Sequence, residues 1–269
     1  MAAGDLLLDV VDVALSLGGN PILAGVSLKI RDRVREGACT GQIAALLGPS
    51  GIGKTRLLRI IAGLDAADNG SVTGIGGQPL VPGSVGVVFQ NYPLIRHRTV
   101  LDNLVVAGAM AGLDASTARS KAGDLLERFG LAARGGLYPS QLSGGQRQRA
   151  AIAQQVMCQR NLLILDEPFS GLDPAALLDV VELLVEVANM HEANTLLIIS
   201  HDIRAVLLAS DLVFMLGRRL GPKGELLPGA VVRASYDLVA MGLAWRDDVE
   251  QDPGFVALEQ EIKRTFKGL

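Results

Sequence analysis

Aromatic residues are scarce in this 269-residue chain: six Phe, three Tyr and one Trp make up 4% of it. Leu, Val, Ile and Ala must therefore fill the interior, as expected where helices cover apolar parallel strands. Cysteine is scarcer still. Cys39 and Cys158 lack metal-ligand spacing and are too few for a disulfide framework in a chain of this size, which favours a reducing cytoplasm as the setting. Excess charge of one sign is also missing, since 25 Lys and Arg stand against 28 Asp and Glu, a formal charge of -3. No basic stripe is present, so nucleic acid is not expected as a partner, because holding a phosphate backbone takes clustered cations. The apolar stretches "LVVAGAMAGL" and "AVLLASDLVFML" fall short of the ~20 residues needed to cross a bilayer. The opening "MAAGDLLLDVVDV" has no basic lead and sets Asp5 and Asp9 among its leucines, so no signal peptide is expected there. Hydrophobic residues are plentiful, at 49%. A mean hydropathy of +0.34 leaves apolar surface for contact with another subunit.

Short apolar runs at "LLLDVVDV", "ILAGVSLKI", "QIAALLG", "SVGVVFQ", "NLLILDEP", "NTLLIIS" and "SDLVFML" read as strands, and the later ones are continuous rather than alternating. That pattern predicts a parallel sheet buried on both faces. Helices are expected over "KTRLLRIIAGL", "GQRQRAAIAQQVMCQ", "DPAALLDVVELLVEVANM" and "HDIRAVLLA", with Asp173 as N-cap and Pro174 at the first helical position of the third. The first two strands read as a smaller antiparallel layer. Residues of about 91–146 carry no strand signal and read as an inserted helical subdomain. The fold class is therefore α/β with a mainly parallel sheet. After about Gly217 the chain is punctuated by Gly and Pro, then shows Phe255, Leu258, Ile262 and Phe266 at helical steps, the pattern of a core-packing amphipathic helix. The expected division is 1–216 as the main domain and 217–269 as a helical extension.

Three stretches carry chemistry. "LLGPSGIGKT" sets Gly48, Pro49, Ser50, Gly51, Gly53, Lys54 and Thr55 between a strand and a helix, the context a phosphate-binding P-loop requires. Backbone N–H groups of such a loop turn towards phosphates, the lysine reaches the β- and γ-phosphates, and the Thr hydroxyl ligates magnesium. In "NLLILDEP", Asp166 ends a buried strand, where an open α/β sheet presents ligands. It is a candidate for the magnesium shell, and Glu167 a candidate to orient or deprotonate water; the bland alternative is a solvated acidic pair. His201 ends another apolar strand and is either structural or within reach of the same phosphate. "QLSGGQRQRAAIAQQVM" puts Ser143, Gly144 and Gly145 at a helix start. A plain N-cap and an anion cradle are both consistent with that start.

Taken in order, "GPSGIGKT", "LSGGQRQR", "LLILDEPFSGLD" and "IISHD" resemble the ATP-binding cassette (ABC) family, the ATPase subunits of ABC transporters, over about Asp9 to Leu216. The resemblance implies a P-loop NTPase core, ATP and Mg²⁺ as ligands, and a head-to-tail dimer. In such a dimer Ser143, Gly144, Gly145 and Gln146 close on the nucleotide held by the other subunit's P-loop. It assigns Gln90 in "VVFQNYPL" to the metal and its water, Asp173 to the dimer interface, Glu167 to catalysis and His201 to the γ-phosphate. "HRTVLDNL" is similar to the importer-type segment that follows this glutamine. The implied partners are a second cassette, identical or paralogous, and separate membrane permease subunits, with a solute-binding protein in importers. The implied place is the cytoplasmic face of a bacterial inner membrane. Lipid- or lipoprotein-trafficking cassettes and an iron-sulfur assembly ATPase are the alternatives.

Three features depart from the family pattern. Leu17 stands in "VALSLGGNPIL", where members usually place an aromatic residue against adenine. The link "RDRVREGACTGQ" over 31–42 is longer than usual. Arg56 follows Thr55 where a second hydroxyl often contacts the α-phosphate; it is expected either to substitute electrostatically or to point to solvent.

Overall fold

The structure, a computed structural model, describes residues 4–33, 41–246 and 248–266. Most of the 31–42 link, Cys39 included, lies outside the described residues. The chain begins with a long hairpin, β1 (Leu6–Leu17) and β2 (Asn20–Arg31), antiparallel to each other. Strand β3 (Gln42–Leu47) leads into helix α1 (Lys54–Ile61), and β4 (Asn69–Gly74) returns to pair antiparallel with β1. After β5 (Gly86–Val88) come α2 (Val100–Met110), α3 (Ala115–Arg128) and α4 (Gly144–Met157). Then β6 (Leu162–Asp166), α5 (Pro174–Asn189), β7 (Thr195–Ser200), α6 (Ile203–Ala209), β8 (Leu212–Leu220) and β9 (Leu226–Asp237) alternate, before α7 (Pro253–Phe266).

All nine described strands join one sheet in the order β4-β1-β2-β9-β8-β3-β7-β6-β5. From β8 to β5 every pairing is parallel, and every residue of β3, β6 and β7 is buried. The reason is visible in the packing. Alternate side chains of one strand enter two different cores: Ile43, Ala45 and Leu47 face the layer of α2 to α7, while Ala44 and Leu46 face α1 and the antiparallel hairpin. A strand covered on both faces has no polar side to show, which is why these runs are uninterrupted.

Two strands were not anticipated, and both are explained by their residues. β4, "NGSVTG", is short, Gly-rich and at the sheet edge. β9 holds Pro228 and Gly229, with φ of +84° at the glycine, and that pair reads as a turn. The 217–269 segment, expected to be helical, thus first adds β9 between β2 and β8 of the same sheet and only then forms α7. There Phe255, Leu258 and Ile262 are buried, as the spacing predicts. Buried Asp211 accepts from the Ile43 amide at 2.7 Å and so ties the start of β8 to the start of β3. Between α2 and the segment before it, Asn103, fully buried, accepts from the Ile95 amide and donates to the Thr99 carbonyl.

The end of β9 is pinned by a forked ion pair, in which Arg33 donates to both carboxylate oxygens of Asp237 at 2.7 and 2.6 Å. The Arg33 hydrogen bond holds the Asp237 carboxyl below its ordinary value of 3.8. A depressed carboxyl adds stability above its unfolded value and loses it as pH falls through the folded one. The pair is well exposed, so its worth is about 0.2–1 kcal/mol. Asp237→Asn should lower the melting temperature by roughly 1–4 °C at neutral pH. In a series of melts at falling pH, the gap to the unmodified protein should close below the ordinary carboxylate value; a gap independent of pH would remove the ion pair as its cause.

Candidate functional site

The parallel strands end on one edge of the sheet, and the candidate residues follow from their ends. β3 runs into the loop 48–53, whose glycines adopt conformations other residues resist: φ is +79° at Gly51 and +112° at Gly53. Gly53 is the N-cap of α1 and offers no side-chain cap, so the first amides of the helix are left for an acceptor from outside. A Cβ on Gly51 would meet nothing within 4 Å, whereas one on Gly53 would lie 3.1 Å from both Ile22 and Leu23 of the hairpin. The glycine is thus also the point where the β1-β2 hairpin packs on the loop.

Lys54 is 6% exposed, with its ammonium at 2.8 Å from the Gly48 carbonyl, 3.1 Å from that of Pro49 and 3.3 Å from the Glu167 carboxylate. Thr55 Oγ1 lies 3.4 and 3.3 Å from the two carboxylate oxygens of Asp166. Burial pushes the Asp166 carboxyl up, with the Thr55 bond opposing it. A buried carboxylate beside a hydroxyl, all oxygen donors, suits a hard divalent cation, which would supply the charge that the burial lacks.

Glu167 has φ of +50°, uncommon for a residue with a side chain and typical of functional turns. Its amide donates to the Ile199 carbonyl at 2.8 Å. One carboxylate oxygen faces Lys54, and the other meets His201 Nδ1 at 2.8 Å, with the Ser200 hydroxyl and the His201 amide each at 3.4 Å. The His201 ring is half exposed, leaving Nε2 for a further partner. A cleft of about 410 Å³ is lined by Ser50, Gly51, Gly53, Lys54, Thr55, Gln90, Glu167 and His201. Gln90 Nε2 donates to the Ser170 hydroxyl at 3.4 Å.

The remaining expectations fare differently. Leu17, 42% exposed, and Ile22 line the same cleft, so the hairpin offers aliphatic surface and no ring. Arg56 also lines the cleft, yet its guanidinium stands 3.6 Å from Asp65, a carboxylate held chiefly by Arg59. Ser143 caps α4: its hydroxyl accepts from the Gln146 backbone amide at 3.2 Å, and the Gln146 side-chain oxygen accepts in turn from the Ser143 amide at 3.0 Å. Gly144 and Gly145 are exposed, with nothing near where their Cβ atoms would be. These four residues do not line the cleft. Asp173 caps α5, accepting from the Ala175 and Ala176 amides at 3.0 Å, and likewise stands outside it. Sequence reasoning passed over Ile22, Ser170 and Gln148; for Gln148 the signal was present, since it falls on the apolar face of α4 with Ala151 and Ile152.

Residues 32–170 match the family described as ABC transporter. The chain is 35% identical over 265 residues to the taurine import ATP-binding protein TauB of Chromobacterium violaceum, covering 96% of this chain and 94% of that protein. It is 37% identical over 217 residues to the sulfate/thiosulfate import ATP-binding protein CysA 2 of Rhizobium meliloti, covering 78% of this chain but 57% of that longer relative. Its fold superposes on cbiO1 of Clostridium perfringens, part of the ABC transporter complex cbiONQ, with a TM-score of 0.72 at 25% identity, covering 88% of this chain and 91% of the other.

The two loop glycines should respond unequally to a methyl group. Both carry positive φ, but only Gly53 also has the hairpin against it. Gly51→Ala should cost about 1 kcal/mol from backbone strain alone, and Gly53→Ala about 1–3 kcal/mol with steric displacement of Ile22 and Leu23 added. Thermal melts of both variants check this. Equal losses would mean that the hairpin yields freely and does not brace the loop.

Proposed function

The chain belongs to the ABC transporter family, and from that premise we propose that it is the ATP-hydrolysing subunit of an importer, working as a dimer beneath separate membrane permease subunits. The observation that carries the reading is the meeting of Lys54, Thr55, Asp166, Glu167 and His201 at one sheet edge. Among the described residues no helix is long and apolar enough to cross a membrane, which agrees with the permease being a different chain. The import function in the names of the TauB and CysA relatives supports the direction of transport, and a solute-binding protein would complete such a system.

In this reading the loop amides and Lys54 hold the triphosphate, and Thr55 and Asp166 hold magnesium. A cation held there would supply positive charge to offset what builds up on the transferring phosphoryl group. Lys54 now divides its bonds between loop carbonyls and Glu167. Phosphate oxygens compete for that ammonium, and drawing it off Glu167 frees that one carboxylate oxygen to accept a proton from water. His201 Nδ1 keeps the other oxygen in place, while Nε2 is offered to the terminal phosphate. Ser143, Gly144, Gly145 and Gln146 stand outside the chain's own cleft, which suits a cradle that serves a second copy. There the Ser143 hydroxyl, already an acceptor, still has its proton to donate.

Glu167→Gln keeps shape and loses basicity, so it should retain ATP affinity while turnover falls about 10²- to 10⁴-fold. Blocked hydrolysis should also leave an ATP-bound dimer visible by size-exclusion chromatography. Near-native turnover at saturating Mg-ATP would end the catalytic assignment. The aliphatic ledge of Leu17 and Ile22 leads to a second expectation. Phosphate and metal contacts should dominate, so ATP and GTP should bind alike, and Leu17→Tyr should tighten ATP by about 1–3 kcal/mol, the range for a base on a ring. Paired titrations of both nucleotides decide it; a strong ATP preference in the unmodified chain would put the base elsewhere.

A further inference from the structure

Helix α4 begins with the Ser143-Gly144-Gly145 cradle and carries Gln148 one turn further in, 1% exposed. A carboxamide in that position is costly unless bonded. Its Nε2 donates at 2.7 Å to the carbonyl of Pro168, the residue directly after Glu167. The backbone it grips is the one bent to φ of +50°. On the other side the same turn is held by the Glu167 amide on Ile199 and by the Ser170 amide on the Glu167 carbonyl, at 2.8 and 3.2 Å. Two helical turns beyond Gln148, on the same face, Gln155 accepts from the Val87 amide at 3.3 Å, in the strand that leads to Gln90. One stiff helix is therefore bonded both to the loop that carries Glu167 and to the strand that leads to Gln90.

We propose that Gln148 is a positioning residue that couples the signature end of α4 to the chain's own Glu167, so that contact between the cradle and a partner's nucleotide sets hydrolytic geometry in the chain's own cleft. This rests on the two-site reading above and adds to it a route by which one site reports to the other. An α-helix transmits a push at its N-terminus as a rigid body, and a short buried hydrogen bond passes it on to the peptide that sets the aim of the carboxylate. Without the Gln148 donor, the dimer still closes around nucleotide, but each site acts alone.

The test compares the full-length protein with Gln148→Met, which matches length and volume and removes the donor. Steady-state hydrolysis is followed against Mg-ATP concentration, with binding of a fluorescent ATP analogue and melting temperature measured alongside. The expected result is a fall in kcat of about tenfold or more and a drop of the Hill coefficient from about two to about one, with analogue affinity of the isolated subunit within about twofold. Unchanged kcat and cooperativity would overturn the inference. So would a loss of activity that keeps the Hill coefficient and tracks a lowered melting temperature, since that is the mark of a merely structural contact. Should Gln148→Met fail to fold, Gln148→Leu, which also removes the donor without burying a charge, gives the same readings. Failure of the underlying reading is distinguishable: it appears as no Mg-dependent hydrolysis by the unmodified chain, or as full turnover by Glu167→Gln, and either result overturns both.

Discussion

The in-register pairing of β3, β7 and β6 decides where every charged group of the cleft can stand. Leu47 lies opposite Ser200, and Asp166 opposite Ile199, so the loop after β3, the acidic turn after β6 and the histidine after β7 emerge side by side. A one-residue slip of any of these strands would exchange its two buried faces, sending the residues of one core into the other. The register is therefore enforced along its whole length by the two hydrophobic layers. The position of a few polar atoms at the edge is a by-product of apolar packing beneath them.

Around that edge the charges are mutually dependent. Glu167 sits between Lys54 and His201, Asp166 leans on the Thr55 hydroxyl, and Lys54 is shared with loop carbonyls. None of these contacts is an ideal closed pair. The buried Asp166 carboxyl is pushed upward because its surroundings do not fully replace water. Such a cluster is held by the fold but left short of cationic charge at Asp166 and of anionic charge at the loop amides, and the magnesium-triphosphate pair proposed for the cleft would supply both at once.

Most of this was legible in the residues because the P-loop, acidic-strand and histidine patterns each combine a local conformation with a chemical group. Gly51 and Gly53 are needed for positive φ, and Lys54 and Thr55 for their side chains, so spacing alone exposes them. β9 was hidden because Pro228-Gly229 mimics a turn, while neighbours on both sides supply the pairing that propensity does not. Gln148 was hidden for the opposite reason. A glutamine among arginines reads as solvent-facing although its helical spacing from Ala151 and Ile152 puts it on the buried face, and its bond to the loop 166–170 lying over α4 is a tertiary fact. At Ser143 the two readings of the sequence were not rivals: the hydroxyl caps the helix through its lone pair, and capping leaves the proton and the exposed amides beyond it uncommitted.

The antiparallel hairpin does more than cover one face of the sheet. Ile22 and Leu23 would lie 3.1 Å from a methyl added at Gly53, closer than ordinary van der Waals contact, and Leu17 and Ile22 border the cleft. Ile22 therefore both braces the phosphate loop and, with Leu17, forms the wall on which a base would lie. An aliphatic wall contributes area but little orientation, because it lacks a π-face and a hydrogen-bonding group. On the proposed reading, selectivity in this cleft rests with the loop amides, Lys54 and the acidic turn, which would recognise phosphates and not bases. The rigid packing at Gly53 keeps those groups aimed whichever base lies on the wall.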